Sequence, residues 1–255
     1  MIAILSPAKT LDYSGQLPDR PASTPRFAED AATIARGAAR LSVARLSKLM
    51  HISDKLAALN AGRFRGFDDA PSRPALFAFA GDVYRGFEAA SLEPEAIAFA
   101  QDHVRILSGL YGLLRPLDAM RPYRLEMGTR WAPGRARDLY AYWQDRIARE
   151  IAADADAAGT DTILNLASQE YWGAVAGRLP AGLRVIEVDF RRATPDGPQF
   201  VSFDAKRARG MMARWMCEHR VTDVDAMRGF DSDGYRFDAA ASTDDAWRFV
   251  RGAGA

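Results

Sequence analysis

The chain opens on an unbroken apolar run, Ile2-Ala3-Ile4-Leu5, closed by the turn-forming pair Ser6-Pro7, so residues 2–5 are predicted to form a buried strand. A loop rich in Pro and Ser follows to about residue 25. Ser42 is placed to cap a helix carrying Leu46, Leu49 and Met50 on one side, and Ser53 to cap the next, ending near Asn60-Ala61-Gly62. Helical spacing returns over 93–107, and again from Asp138 onward through Leu139, Tyr142, Trp143, Ile147 and Ile151. The second half changes character. Thr162 to Leu166 and Arg184 to Phe190 read as strands, and Pro195-Asp196-Gly197 reads as a turn into a further strand, Gln199 to Phe203, pairing as a hairpin. Ala208, Met211, Met212, Trp215 and Met216 fit the helical template, giving a helix over 205–218, with short strands near 234–238 and 246–250. No internal repeat or long linker interrupts this order. The expectation is one α/β domain with a mixed sheet surrounded by helices.

Composition narrows the class. With 48% hydrophobic and 26% charged residues in 255, the chain has material for a sizeable core, which excludes disordered and collagen-like proteins. No apolar run approaches the roughly 20 residues that cross a bilayer, and the first residues lack the basic start of a secretion signal, so a soluble cytoplasmic protein without a membrane partner is expected. Cys217 is the sole cysteine, which excludes an intramolecular disulfide framework and a cysteine-rich metal site. His51, His103 and His219 are far apart, and Cys217 and His219 would not share a helix face, so neither a metal nor any other cofactor is expected.

The net charge of +1 averages over segments of opposite sign. Residues 34–66 carry seven basic side chains against Asp54 alone, residues 104–137 carry seven against Asp118 and Glu126, and residues 222–245 hold seven aspartates against Arg228 and Arg236. A polyanion-binding face requires such asymmetry. Of the 34 basic residues 30 are arginine, which draws attention to the four lysines, Lys9, Lys48, Lys55 and Lys206.

Three segments carry candidate chemistry. In Leu107-Ser108-Gly109-Leu110-Tyr111-Gly112 two glycines three apart resemble the hairpin of helix-hairpin-helix modules, which present backbone N–H groups to a DNA phosphate. Arg115, Arg121 and Arg124 follow where neighbouring phosphates would be met, although Pro116 restricts where a second helix can start. Lys206, Arg207 and Arg209 crowd the positive end of the helix predicted from 205, an arrangement that an anion would relieve; Asp204 as N-cap would offset part of it. Lys55 repeats the theme after Ser53. Lys9 follows a strand end and serves either as an anion ligand or, if desolvated, as a nucleophilic amine, with Asp54 or Asp82 of Gly81-Asp82-Val83-Tyr84 as an acid–base partner.

These residues resemble the YaaA family of peroxide-stress resistance proteins. The resemblance runs through Leu5 to Tyr13, Ile52 to Leu56, Gly81 to Tyr84, Leu107 to Asp118, Pro122 to Gly128, Asn165 to Tyr171 and Lys206 to Gly210. It implies the α/β architecture called the cantaloupe fold, a positively charged cleft, a helix-hairpin-helix element, placed at about 95–125, and binding to duplex or branched DNA in a repair setting of the oxidative-stress response. Family association with limiting free iron is read as indirect.

The leading expectation is a sequence-nonspecific, structure-selective DNA-binding protein. Its contacts would be Lys9, Lys55, Ser108, Gly109, Leu110, Tyr111, Gly112, Arg115, Arg121, Arg124, Lys206, Arg207 and Arg209. The alternatives are a base- or strand-processing enzyme using Lys9, and an enzyme acting on a small phosphorylated or nucleobase substrate.

Overall fold

The opening apolar run becomes β1 (Ile2–Leu5), a central strand of a seven-stranded sheet in the computed structural model, which describes residues 1–15, 17 and 20–252. Along the chain follow α1 (Ala28–Ala39), α2 (Val43–Met50), α3 (Asp54–Arg65), β2 (Arg73–Pro74), α4 (Ala75–Ala78), α5 (Asp82–Phe87), α6 (Pro94–His103), β3 (Val104–Ser108), β4 (Gly112–Leu114) and β5 (Ala119–Met120). The second half adds α7 (Leu139–Trp143), α8 (Arg146–Ala157), β6 (Thr162–Leu166), α9 (Gln169–Trp172), β7 (Arg184–Arg192), α10 (Ser202–Glu218), β8 (Tyr235–Phe237) and β9 (Ala246–Arg251). The sheet order is β4-β3-β1-β6-β7-β9-β8; the inner five strands are parallel and both edges antiparallel, while β2 and β5 form a separate small ladder. The chain is thus the expected α/β domain with a mixed sheet.

Local chemistry explains most boundaries. Ser42 and Ser53 cap α2 and α3, accepting from the backbone N–H of Arg45 at 3.2 Å and Leu56 at 3.4 Å, and Asp138 caps α7 through Ala141 N–H at 2.8 Å. Every residue of β1, β3 and β6 is buried, as parallel strands covered on both faces require. β7 instead alternates, with Ile186, Val188 and Phe190 buried and Glu187, Asp189 and Arg191 on the opposite face.

Four expectations are corrected. The helix predicted over 93–107 stops at His103, because Val104 to Ile106 pair in parallel with β1 and Ile106 to Ser108 antiparallel with β4. The helix from Asp138 breaks at Gln144, whose φ of 51° leaves the helical region before α8 begins. The predicted strand 199–203 shrinks to one bridge between Gln199 and Arg192, and α10 starts at Ser202. Val201 is then the N-cap, and Asp204 lies in the first turn, bonded to Arg192 and, at 3.0 Å, to Arg251.

The fourth correction concerns the helix-hairpin-helix element at 95–125. Residues 104–114 form a β-hairpin, not two helices, and its loop is interior. Ser108 and Leu110 are fully buried, and the Ser108 hydroxyl accepts Tyr111 N–H at 2.8 Å and bonds the Tyr123 hydroxyl at 2.6 Å. The Gly109 carbonyl accepts from Trp143 Nε1 at 3.1 Å, and Gly112 adopts φ +65° where a Cβ would meet the Trp143 ring at 2.9 Å. So Ser108, Gly109, Leu110, Tyr111 and Gly112 are removed from the phosphate contacts: Leu107 to Leu114 is too apolar a stretch to stay on the surface.

The tightest helix contact is between α5 and α10. At Gly210 a Cβ would fall far inside contact distance of the Val83 carbonyl, and at Gly86 it would strike the Arg207 carbonyl, so the two backbones meet only because both positions are glycine. Gly210→Ala is therefore expected to lower unfolding free energy by about 2–3 kcal/mol, with a melting temperature lower by about 4–12 °C. Gly62→Ala, in α3 with open space around its Cα, is expected to be neutral or stabilising, and chemical denaturation of both variants checks the contrast.

Candidate functional site

The connections of the sheet diverge beside β1. The chain leaves β1 toward β3 on one side, whereas β6, β7 and β9 build outward on the other, so β1 and β6 flank a topological switch point. The loops beyond their carboxyl ends are tied together there: Ser168 N–H donates to Ser6 Oγ at 2.8 Å, and the two serine hydroxyls lie 3.3 Å apart. A cleft of about 1170 Å³ opens at this point and runs over the polar face of β7 and β9 to α10. Its size lies a little above the usual range of small-molecule sites, about 300–1,000 Å³.

Six separate segments line the cleft: 6–10, 80–85, 165–172, 187–191, 200–209 and 241–248. Cations outnumber anions on its walls, with Lys9, Arg85, Arg191, Lys206, Arg209 and Arg248 against Asp82, Glu170, Glu187 and Asp189. On one side Lys9 Nζ lies 3.3 Å from Glu126 Oε1, and Arg124 Nη2 lies 3.0 Å from the same oxygen. The Lys9 side chain is 63% exposed, so the desolvation that a nucleophilic role called for is missing. On the other side Asp189 takes both Arg191 at 2.7 Å and Arg248 at 3.2 Å.

Between these walls Asn165 and Glu187 stand in register on β6 and β7. Asn165 Nδ2 donates to Glu187 Oε2 at 2.7 Å, and Asn165 Oδ1 accepts Ala167 N–H at 3.0 Å, which fixes the amide's orientation and through it the carboxylate's. Burial raises the Glu187 pKa above its ordinary value, while the Asn165 hydrogen bond and the Arg209 charge pull it back part of the way. Arg209, on α10 opposite, is largely buried, and burial lowers its pKa against the more distant pull of Asp189 and Glu187. Its Nε has no hydrogen-bond partner among the described residues.

Of the residues singled out from sequence, the fold brings Lys9, Asp82, Lys206 and Arg209 to this cleft. Arg124 stands behind it through Glu126. Asp82 is the first residue of α5, after Gly81 as N-cap, and lies 3.7 Å from Arg85. Lys55 and Asp54 sit in the first turn of α3, away from the cleft walls. Arg207 points from α10 toward Asp233, 3.9 Å away. Arg115 pairs with Asp118 at 3.4 Å, and Arg121 donates to the carbonyls of Ala70 and Asp68 with its guanidinium 5.7 Å from the Phe67 ring centre, so both brace loops. Sequence reasoning missed Asn165, Glu187, Asp189, Arg191 and Arg248. The signal for three of them was present: strict alternation over Ile186 to Arg191 marks Glu187, Asp189 and Arg191 as one polar sheet face. Among the described residues no group of three or more His, Cys, Asp or Glu could hold a metal ion, and no helix is long and apolar enough to cross a membrane.

Fold and cleft together define an α/β protein with a charged crevice at the switch point of a mostly parallel sheet. The chain belongs to the family described as peroxide stress protein YaaA, whose family model matches residues 1–241. It is 61% identical to a UPF0246 protein of Rhizorhabdus wittichii over 98% of this chain and 99% of that protein. UPF0246 proteins of Roseobacter denitrificans and Ruegeria pomeroyi are 48% and 49% identical, each over 98% of both chains. Family membership ties the protein to the oxidative-stress response.

The Asn165–Glu187 bond has a measurable consequence. The folded Glu187 carboxyl keeps its proton to higher pH than the unfolded one, so its contribution to stability is full below the ordinary value of 4.5 and is lost as pH rises through the folded pKa. In Asn165→Ala the donor that favours the charged form is gone. The Glu187 midpoint, followed by carboxyl carbon NMR, is expected to rise further; an unchanged or lower midpoint would show that the bond does not hold the carboxylate.

Proposed function

We propose that this protein binds DNA through the cleft, in the protection or repair of DNA under peroxide stress. The observation that supports this reading is the convergence of Lys9, Arg85, Lys206 and Arg209, from three separate chain segments, on one wall system in which cations exceed carboxylates. Phosphates neutralised there release counterions and fix the strand's position without reading its sequence. Lys55, in the first turn of α3 and exposed, adds a contact outside the cleft. The repair setting rests on membership in a peroxide-stress family.

Four to six neutralised phosphates correspond to a slope of log K against log salt of about −4 to −5 on duplex or branched DNA. Replacing Lys9 and Lys206 together by alanine is expected to make that slope shallower by about two. A slope near zero in the unaltered chain, or no change in the double variant, would count against the cleft as the DNA site.

A base- or strand-processing activity keeps one supporting observation: Lys9 and Asp82 line the same cleft, whereas Asp54 does not. Arginine at position 9 separates the two readings, since it keeps a phosphate contact but cannot act as a nucleophilic amine. The binding reading expects Lys9→Arg to retain most DNA affinity and the unaltered chain to form no borohydride-trapped adduct.

A further inference from the structure

The cleft floor holds two polar groups whose bonding is incomplete, and they are complementary to different parts of one nucleotide. Arg209 makes no hydrogen bond and no ion pair within 4 Å among the described residues, and its buried Nε faces no acceptor. The carboxylates that act on it from further away are committed elsewhere: Asp189 to Arg191 and Arg248, and one oxygen of Glu187 to Asn165. A largely buried guanidinium with unused donors is costly, and an anion entering the cleft removes that cost. An oxygen of a phosphodiester has the required charge and acceptor geometry.

Glu187 supplies the opposite chemistry. Its Oε2 is engaged by Asn165, its second oxygen makes no hydrogen bond among the described residues, and an ionised carboxylate accepts but never donates. It therefore selects a partner that presents N–H groups. Among the four DNA bases only guanine offers two adjacent donors, N1–H and the exocyclic N2–H, with no acceptor between them. Adenine and cytosine place a ring-nitrogen acceptor beside their amino group, and thymine flanks its single donor with two carbonyls, so each brings an acceptor against the carboxylate. Two aromatic faces for stacking stand on the same walls: Trp172, half-buried, and Phe200, 52% exposed with the Arg191 guanidinium 5.5 Å from its ring centre.

We propose that the cleft takes an unpaired guanine nucleotide of a DNA strand, with Glu187 accepting from N1–H and N2–H and Arg209 holding a phosphate oxygen. In a duplex those two donors are used by cytosine, so the site requires a nucleotide outside the stack, as in a bubble, a branch or an extruded base. This inference rests on the DNA-binding reading and narrows it from phosphate contact to the reading of one base.

Fluorescence anisotropy on labelled 30-mer DNAs tests it, comparing a fully paired duplex with bubbles whose unpaired positions are all G, A, C or T. The guanine bubble is expected to bind about tenfold more tightly than the others and than the duplex, the size one bidentate base contact supplies. Inosine, which lacks the N2 amino group, is expected to forfeit part of that preference, and Glu187→Gln to bring all four bubbles within about twofold. Arg209→Gln is expected to weaken the guanine bubble more than the duplex, with thermal melting as the check on folding. The inosine comparison needs no variant, so it decides even if both variants unfold. Equal binding of the four bubbles alongside salt-dependent duplex binding would overturn the guanine site and leave the DNA-binding reading standing. Absence of binding to every DNA would overturn both. Displacement by free guanosine monophosphate as effective as by the guanine bubble would overturn the strand as the source of the nucleotide.

Discussion

Everything at the cleft depends on how closely α5 and α10 approach. Because Gly86 and Gly210 let the two backbones touch, α10 lies low enough against the sheet for Ala205, Lys206 and Arg209 to face the polar residues of β7, while Asp82 and Arg85 of α5 close the near wall. A side chain at either glycine would push the helices apart by the width of a methyl group. The group most sensitive to such a shift is Arg209, whose guanidinium makes no hydrogen bond or ion pair among the described residues.

Carboxylates inside and outside the cleft are shared between cations, and two of the cleft's cations are left without one among the described residues. Outside the cleft, four arginines are held by two carboxylates: Asp154 binds Arg26 and, at 2.5 Å, Arg105, tying α8 to the segment before α1 and to β3, and Asp204 joins Arg192 and Arg251 across the start of α10. These buried carboxylates each serve two guanidiniums, so breaking one bond leaves a charge in a dry place. Lys206 has no partner within ion-pair distance among the described residues, and Lys9 shares its carboxylate with Arg124. The cleft thus combines cations already held by carboxylates, Lys9, Arg85, Arg191 and Arg248, with two that carry no ion pair among the described residues, Lys206 and Arg209, at the sheet's switch point where the proposed phosphate contacts lie.

Asn165 shows how the sheet passes order to the site. Parallel pairing of β6 with β7 sets it beside Glu187, its own backbone neighbour Ala167 locks its amide, and the locked amide aims the carboxylate. A carboxylate aimed in this way costs little conformational entropy to engage, which is what a site that discriminates between similar bases requires. The Ser108 to Gly112 hairpin differs: its Ser108 hydroxyl bonds Tyr111 N–H and the Tyr123 hydroxyl, and its Gly109 carbonyl accepts from Trp143, all inside the core.

The sequence by itself determined what depends on neighbours along the chain. Serine caps at 42 and 53, the aspartate cap at 138, the apolar runs of β1 and β6 and the helical stripe of α10 are all local, and each stands where its residues put it. So too were the family and three of the cleft residues that carry its charge, Lys9, Lys206 and Arg209, because their segments are distinctive in composition. Tertiary structure alone decided the rest. A glycine-rich loop looks the same in sequence whether its N–H groups face water or a tryptophan, and only the packing of α7 against the β3–β4 hairpin turned it inward. Whether an arginine braces a loop or stays free depends on which carboxylates and carbonyls arrive from distant segments, as they do for Arg115 and Arg121 and do not for Arg209. Ion pairs and backbone contacts of that kind join residues far apart in the chain, and no local pattern records them.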